Sequence, residues 1–186
     1  MENQTKINNK LLTVAFAMYL FLLIWAIALK FNAEWLPELG EYLRESPLYE
    51  RVGNNIIPFY NMIKKGFYFN LDYFMNVIIY IPLGIYLLII ANHKNKYLIT
   101  FFITMLSSIA FELIQLVTGF GGCDGTDFVC NCIGGIIGMF IYFLINKMRN
   151  SSKIVNIVNL IVVICFTPLA IYAFINTITN LHLYKL

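Results

Sequence analysis

The sequence has 186 residues, of which 60% are hydrophobic and only 12% carry a charged side chain, and its formal net charge is +3. Soluble proteins have about twice that share of charged residues, so this composition excludes a soluble globular protein and predicts a membrane protein. The basic residues are scattered through short segments between apolar runs, which argues against a nucleic-acid partner.

Five apolar runs are each close to the roughly 20 residues that an α-helix needs to cross ~30 Å of hydrocarbon. They predict an all-α membrane helix bundle of five spans, forming a single domain over residues 1–186. The first run follows two lysines and ends in small residues, so a cleaved signal peptide is an alternative that its full spanning length disfavours. The predicted spans are residues 11–29, 73–91, 97–118, 128–145 and 154–175.

Lysine and arginine are unevenly distributed between alternate connections. The short segments of one side contain only Lys185, and the other side holds Lys6, Lys10, Lys94, Lys96, Lys147, Arg149 and Lys153. By the positive-inside rule, the amino terminus is cytoplasmic, the carboxyl terminus is external, and the connections at 30–72 and 119–127 are external.

The long external connection contains apolar segments that are too short to cross the membrane. Its residues 36–45 alternate apolar and charged side chains at helical spacing, which predicts an interfacial helix.

Glu112 lies inside the third predicted span, about six residues before its outer end and so ~9 Å below the interface. Carboxylates at that depth are costly, and they usually face the bundle interior and serve a function. Thr104, Ser108, Gln115 and Gly119 recur around Glu112 at steps of three and four residues. This spacing predicts one polar stripe along the helix.

The fourth span has a related stripe of Asp127, Asn131 and several glycines. Gly134 and Gly138 form a GxxxG pair, which predicts close approach of another helix. Asp124 and Asp127 either cap this helix or belong to a site, and the two interpretations are compatible.

The second span has Asn76 near its outer end and Pro82 inside, where we expect a kink. With the assigned orientation, Asn76, Gln115 and Asn131 share the outer half with the three acids, which predicts a composite outward-facing polar pocket. Arg51 is the candidate cation, because its guanidinium suits a carboxylate or a phosphate. Its alternative role is that of a surface arginine at the headgroup level.

Four ordered motifs resemble the VanZ-like family of bacterial membrane proteins. They are Asn55-Ile56-Ile57-Pro58-Phe59 preceded by Arg51, the stretch from Asn76 to Gly84, Glu112-Leu-Ile-Gln115, and Asp124-Gly-Thr-Asp127 followed by Asn131, Gly134, Gly135 and Gly138. In the family the arginine usually lies one residue nearer to the Asn-x-x-Pro-Phe segment, so either Arg51 precedes a one-residue insertion or Asn54, in place of Asn55, takes the matching role. An arginine that is common in the family near the position of Gly121 is absent here. The resemblance implies a bacterial plasma-membrane protein with a role in resistance to teicoplanin-type lipoglycopeptides.

Three functional hypotheses follow. In the first, the pocket binds a membrane-lipid headgroup, a cell-wall lipid precursor or the lipid-anchored antibiotic without catalysis. In the second, an intramembrane enzyme acts on a lipid-linked substrate and uses Glu112 as general base and Asp124 or Asp127 as a second carboxylate or metal ligand. In the third, the polar stripe only holds helices together. The candidate binding residues are Arg51, Asn55, Asn76, Glu112, Gln115, Asp124, Asp127 and Asn131.

We expect neither a metal site nor a cofactor, and the sequence leaves the oligomeric state open. Cys123 and Cys130, taken with Asp124 and Asp127, match no standard zinc spacing. The four cysteines do not form a disulfide framework, because Cys165 lies in an apolar run and the other three straddle a loop and a helix start.

Overall fold

A computed structural model of the chain describes residues 6–29, 56–66, 71–118 and 124–183, and these ranges contain α-helices and no β-strand. The all-α prediction is therefore confirmed. The helices are α1 (Asn9–Leu29), α2 (Tyr60–Lys65), α3 (Leu71–Ile90), α4 (Lys96–Thr118), α5 (Gly125–Asn146) and α6 (Ser151–Leu183).

Five of these helices are long and apolar enough to cross a membrane, which confirms the predicted number of spans. The largest difference between the predicted spans and the observed helices is in α6, which has 33 residues and continues well past the predicted end at residue 175. The apolar run stops there, but Thr177 and Thr179 each donate their hydroxyl to the carbonyl four residues earlier. Because these polar side chains are satisfied by their own helix, they do not end it. The predicted helix at 36–45 lies outside the described residues.

The chain divides into two compact units, Met1–Pro37 with Phe143–Leu186, and Glu38–Tyr142. In the first unit, α1 packs against α6. At the start of both helices, the Asn8 amide donates to Asn156 Oδ1 at 2.8 Å. Further along both, Trp25 Nε1 donates to Thr177 Oγ1 at 3.1 Å. The two helices are therefore parallel, as the first and fifth spans of an alternating bundle must be.

In the second unit, α3 and α5 meet through glycine. A Cβ on Gly134 would collide with the Val77 carbonyl oxygen, and a Cβ on Gly138 would collide with that of Ile81. A step of four residues along α5, from Gly134 to Gly138, corresponds to a step of four residues in the same direction along α3, from Val77 to Ile81. These helices are therefore also parallel. The predicted close approach at the GxxxG pair is confirmed, and α3 is the helix that approaches. α3 continues through Pro82, and the predicted kink stays a prediction.

We expect Gly138→Ala to lower the free energy of unfolding by about 1–3 kcal/mol, because the atoms that crowd the new Cβ belong to the backbone of α3 and cannot rotate away. Thermal unfolding of the purified protein in detergent measures this change. Ile137→Ala is the control, since Ile137 is the preceding residue and is 37% exposed. Equal effects of the two substitutions would contradict a packing role for Gly138.

Candidate functional site

One face of α4 is polar and buried. Thr104 is 1%, Ser108 0%, Glu112 5% and Gln115 4% exposed, whereas Leu113 is 52% exposed. The predicted stripe is therefore confirmed for its described members; Gly119 lies outside the described residues. The stripe also continues one turn towards the start of the helix, because Thr100 is only 1% exposed.

Glu112 accepts a hydrogen bond from the residue that precedes α5. Its Oε2 accepts a hydrogen bond of 2.8 Å from the Asp124 backbone amide. Asp124 in turn caps α5, since its Oδ1 accepts a 2.7 Å hydrogen bond from the Thr126 amide. The capping interpretation is thus confirmed for Asp124, and it explains why α5 begins at Gly125, three residues before the predicted start. Hydrogen bonds to a charged group contribute about 1.5–3 kcal/mol each, so this contact offsets part of the cost of burying the carboxylate.

The segment Ile56–Phe59 lies against the same helix start. The Phe59 amide donates to Thr126 Oγ1 at 2.9 Å. A Cβ on Gly125 would collide with the Ile56 carbonyl oxygen, so only glycine allows this approach. Phe59 has a φ of 58°, a left-handed conformation that is uncommon for a residue with a side chain. Its ring also contacts Tyr73 of α3 edge to face, with centroids 6.4 Å apart.

A second polar contact lies deeper between α4 and α5. The Asn131 side chain, which is 2% exposed, donates Nδ2 to Ser108 Oγ at 3.0 Å. Tyr80 of α3 is completely buried, and its phenol faces Ser107 and Ser108. Polar groups of three helices therefore meet in the interior of the second unit.

The structure brings together only part of the predicted site. Glu112 and Asp124 are in contact. Asn131 lies further along α5 than Asp124 and contacts Ser108 of α4. Gln115 is buried on the same polar face of α4 as Glu112. Asn76 and Asp127 are only half-buried. Arg51 and Asn55 lie outside the described residues.

The structure adds two residues that the sequence analysis did not select. Thr126 is 2% exposed and links α5 to the Ile56–Phe59 segment. A signal was present, because Thr126 is the hydroxyl residue inside the Asp124-Gly-Thr-Asp127 motif. The sequence also contained a signal for Tyr80, because Tyr80 follows Asn76 by four residues and so lies on the same face of α3.

The contacts at the start of α5 are hydrogen bonds. Within the described ranges, no group of three His, Cys, Asp or Glu side chains is close enough to hold a metal ion. The three described cysteines, Cys130, Cys132 and Cys165, are free thiols. Carboxylate, amide and hydroxyl groups remain, and these donate and accept hydrogen bonds.

Comparison with known proteins gives two matches. The family model of VanZ/LLP1 matches residues 16–146. The chain is similar to "Protein VanZ" of Enterococcus faecium, with 31% identity over 157 residues that cover 84% of this chain and 88% of that protein. No solved structure matches significantly.

We expect Thr126→Val to raise the hydrogen-exchange rate of the Phe59 amide about ten-fold, because valine keeps the shape of threonine but removes the acceptor of this amide. NMR of protein labelled with ¹⁵N-phenylalanine measures this rate. Thr126→Ser keeps the hydroxyl and should leave the rate near that of the wild type. An unchanged rate in Thr126→Val would show that the hydrogen bond does not hold the segment.

Proposed function

The chain belongs to the VanZ/LLP1 family, and we propose that it contributes to bacterial resistance against teicoplanin-type lipoglycopeptides from the outer side of the plasma membrane. Five apolar helices and the family together identify a multi-pass membrane protein. The distribution of lysine and arginine supports a cytoplasmic amino terminus, which would direct the Glu112 end of α4 outwards.

In this proposal the outer polar end binds a lipid headgroup, a cell-wall lipid precursor or the lipid-anchored antibiotic, and it needs no catalysis. One observation carries the proposal: a continuous run of hydrogen bonds joins Glu112 to Asp124, Asp124 to Thr126 and Thr126 to Phe59. These contacts bring three of the four family-like motifs to the same end of the unit. A preorganised polar end of this kind binds without a large ordering cost.

Position and charge support a headgroup as the ligand. Asp124 and Asp127 are half-buried at the start of α5. Lys64 of α2 is exposed, with its ammonium 4.9 Å from the ring centre of Tyr60. Acidic and basic groups at the end of a membrane unit match the mixed charges of lipid headgroups and of glycopeptides. Arg51, which precedes the Ile56–Phe59 segment in the sequence, would supply bidentate binding of phosphate.

The enzymatic alternative receives less support from the geometry. A general base needs an oxygen within reach of the proton that it removes. Glu112 directs Oε2 at a backbone amide, and the Asp124 carboxylate caps a helix. Both acids therefore have positioning roles, which a binding site requires.

The charge of Glu112 can be separated from its role in holding the Asp124 amide. Glu112→Gln keeps an oxygen that accepts this amide but removes the charge, whereas Glu112→Ala removes both. Expressed in a susceptible bacterium, Glu112→Gln should lower the teicoplanin minimum inhibitory concentration at unchanged membrane abundance. A loss of ~1 kcal/mol in binding corresponds to about a five-fold loss of affinity. Glu112→Ala should lower abundance as well.

Asp72→Asn is the matched control, because it removes an exposed carboxylate and should leave resistance intact. If Glu112→Gln reduced resistance only in proportion to its membrane abundance, Glu112 would be a structural residue and the binding site would lie elsewhere.

Arg51→Lys tests whether the ligand carries a group that accepts bidentate hydrogen bonds, because lysine keeps the charge but lacks the planar guanidinium. Native mass spectrometry of the purified protein with phosphatidylglycerol, phosphatidylcholine or teicoplanin identifies which molecule is retained. We expect retention of an anionic lipid or of teicoplanin to fall several-fold in Arg51→Lys. Equal retention by both proteins would remove Arg51 from the site.

A further inference from the structure

The buried face of α4 carries an oxygen-bearing side chain at every fourth residue. Thr100, Thr104, Ser108 and Glu112 are 1%, 1%, 0% and 5% exposed. At 1.5 Å per residue, consecutive members are ~6 Å apart along the helix axis. That spacing is too long for a direct hydrogen bond, and it equals roughly two hydrogen bonds joined by one water molecule.

Two of these hydroxyls differ from those of three threonines on α1 and α6. Thr13, Thr167 and Thr177 each donate to the carbonyl four residues earlier in the same helix, which is the usual arrangement in membrane helices. Thr100 Oγ1 and Thr104 Oγ1 are fully buried and have no hydrogen-bond partner among the described residues. A buried hydroxyl that leaves the intrahelical acceptor unused, in a region without bulk water, indicates a different partner.

The neighbouring helices contribute to the same interior. Asn131 Oδ1 is buried and has no partner in the described part of the chain, while its Nδ2 donates to Ser108. The Tyr80 phenol faces Ser107 and Ser108. A Cβ on Gly135 would collide with the methyl group of Thr104, so the backbone of α5 packs directly against this side chain and only glycine fits there. Buried polar atoms of α3, α4 and α5 thus lack a hydrogen-bond partner among the described residues, and such atoms are the ones that buried water satisfies.

We propose that the second unit holds a file of water molecules along Thr100, Thr104 and Ser108, through which protons reach Glu112 from the opposite side of the membrane. The file supplies a further activity, proton conduction, which does not depend on the ligand of the outer end. From Lys96 to Glu112 the path is ~24 Å, most of the ~30 Å hydrocarbon thickness.

Both ends of the file meet titratable side chains. At the start of α4, the half-buried Lys96 donates to Tyr142 Oη at 3.3 Å, one turn before Thr100. At the other end, Glu112 contacts the half-buried Asp124. Each hydroxyl or water accepts one proton and donates another to its neighbour. The Glu112 carboxylate accepts the last proton and releases it on the Asp124 side, so the groups of the file are regenerated and one charge crosses.

Proton flux into liposomes tests the proposal. The purified full chain is reconstituted with an internal pH-sensitive dye, and valinomycin with a potassium gradient balances the charge. We expect faster acidification than in liposomes without protein. We expect Thr104→Val to slow this flux roughly ten-fold, the effect of losing one hydrogen-bonded link. Valine keeps the volume of threonine and removes no hydrogen bond to the described residues, so the fold should persist.

Thr167→Val is the matched control, because Thr167 is exposed and donates within α6; its flux should equal that of the wild type. Thr100→Val breaks a different link and should resemble Thr104→Val. Glu112→Gln should also slow the flux. Wild-type flux no faster than that of empty liposomes, or wild-type rates in both file variants, would overturn the proposal.

Discussion

The hydrogen bond between Glu112 Oε2 and the Asp124 amide is the contact on which the organisation of the second unit depends. A carboxylate within a membrane span requires donors, and here a backbone amide at the end of a loop provides one. The same contact fixes where α5 starts, because the residue that donates to Glu112 also caps that helix. Thr126 then accepts a hydrogen bond from the Phe59 amide and so holds the Ile56–Phe59 segment against the start of α5. One buried charge thus positions two helix ends and a loop.

Close packing and polar burial depend on each other in this unit. Gly134 and Gly138 bring the backbone of α5 against carbonyl oxygens of α3, and this proximity holds Tyr80 and Asn131 within the same interior as the α4 stripe. Lipid provides no hydrophobic force that would press helices together, so small residues and interhelical hydrogen bonds have to do so. The polar side chains and the glycines therefore act together to hold α3, α4 and α5 against one another.

Much of this architecture could be predicted from the sequence, because it follows from length and period. Apolar runs of spanning length identified the five helices, spacing by three and four identified the stripe containing Glu112, and Gly134 with Gly138 identified the contact with another helix. The details that the sequence analysis did not predict depend on backbone groups, which sequence patterns do not reveal. Asp124 was selected for its carboxylate, yet its amide makes the contact with Glu112. The left-handed conformation of Phe59 and the role of Thr126 likewise follow from tertiary approach. The placement of Arg51 and Asn55 stays a prediction.

The parallel pairing of α1 with α6 has a consequence for biogenesis. Translation delivers α1 first and α6 last, so the buried face of α1, with Ala15 and Leu23, cannot pack against α6 while the intervening spans are inserted. Trp25 cannot reach Thr177, and Asn8 cannot reach Asn156, until the ribosome has completed the final helix. The first unit is therefore assembled after translation, by lateral association of two helices already in the bilayer, while α3, α4 and α5 can associate as they emerge.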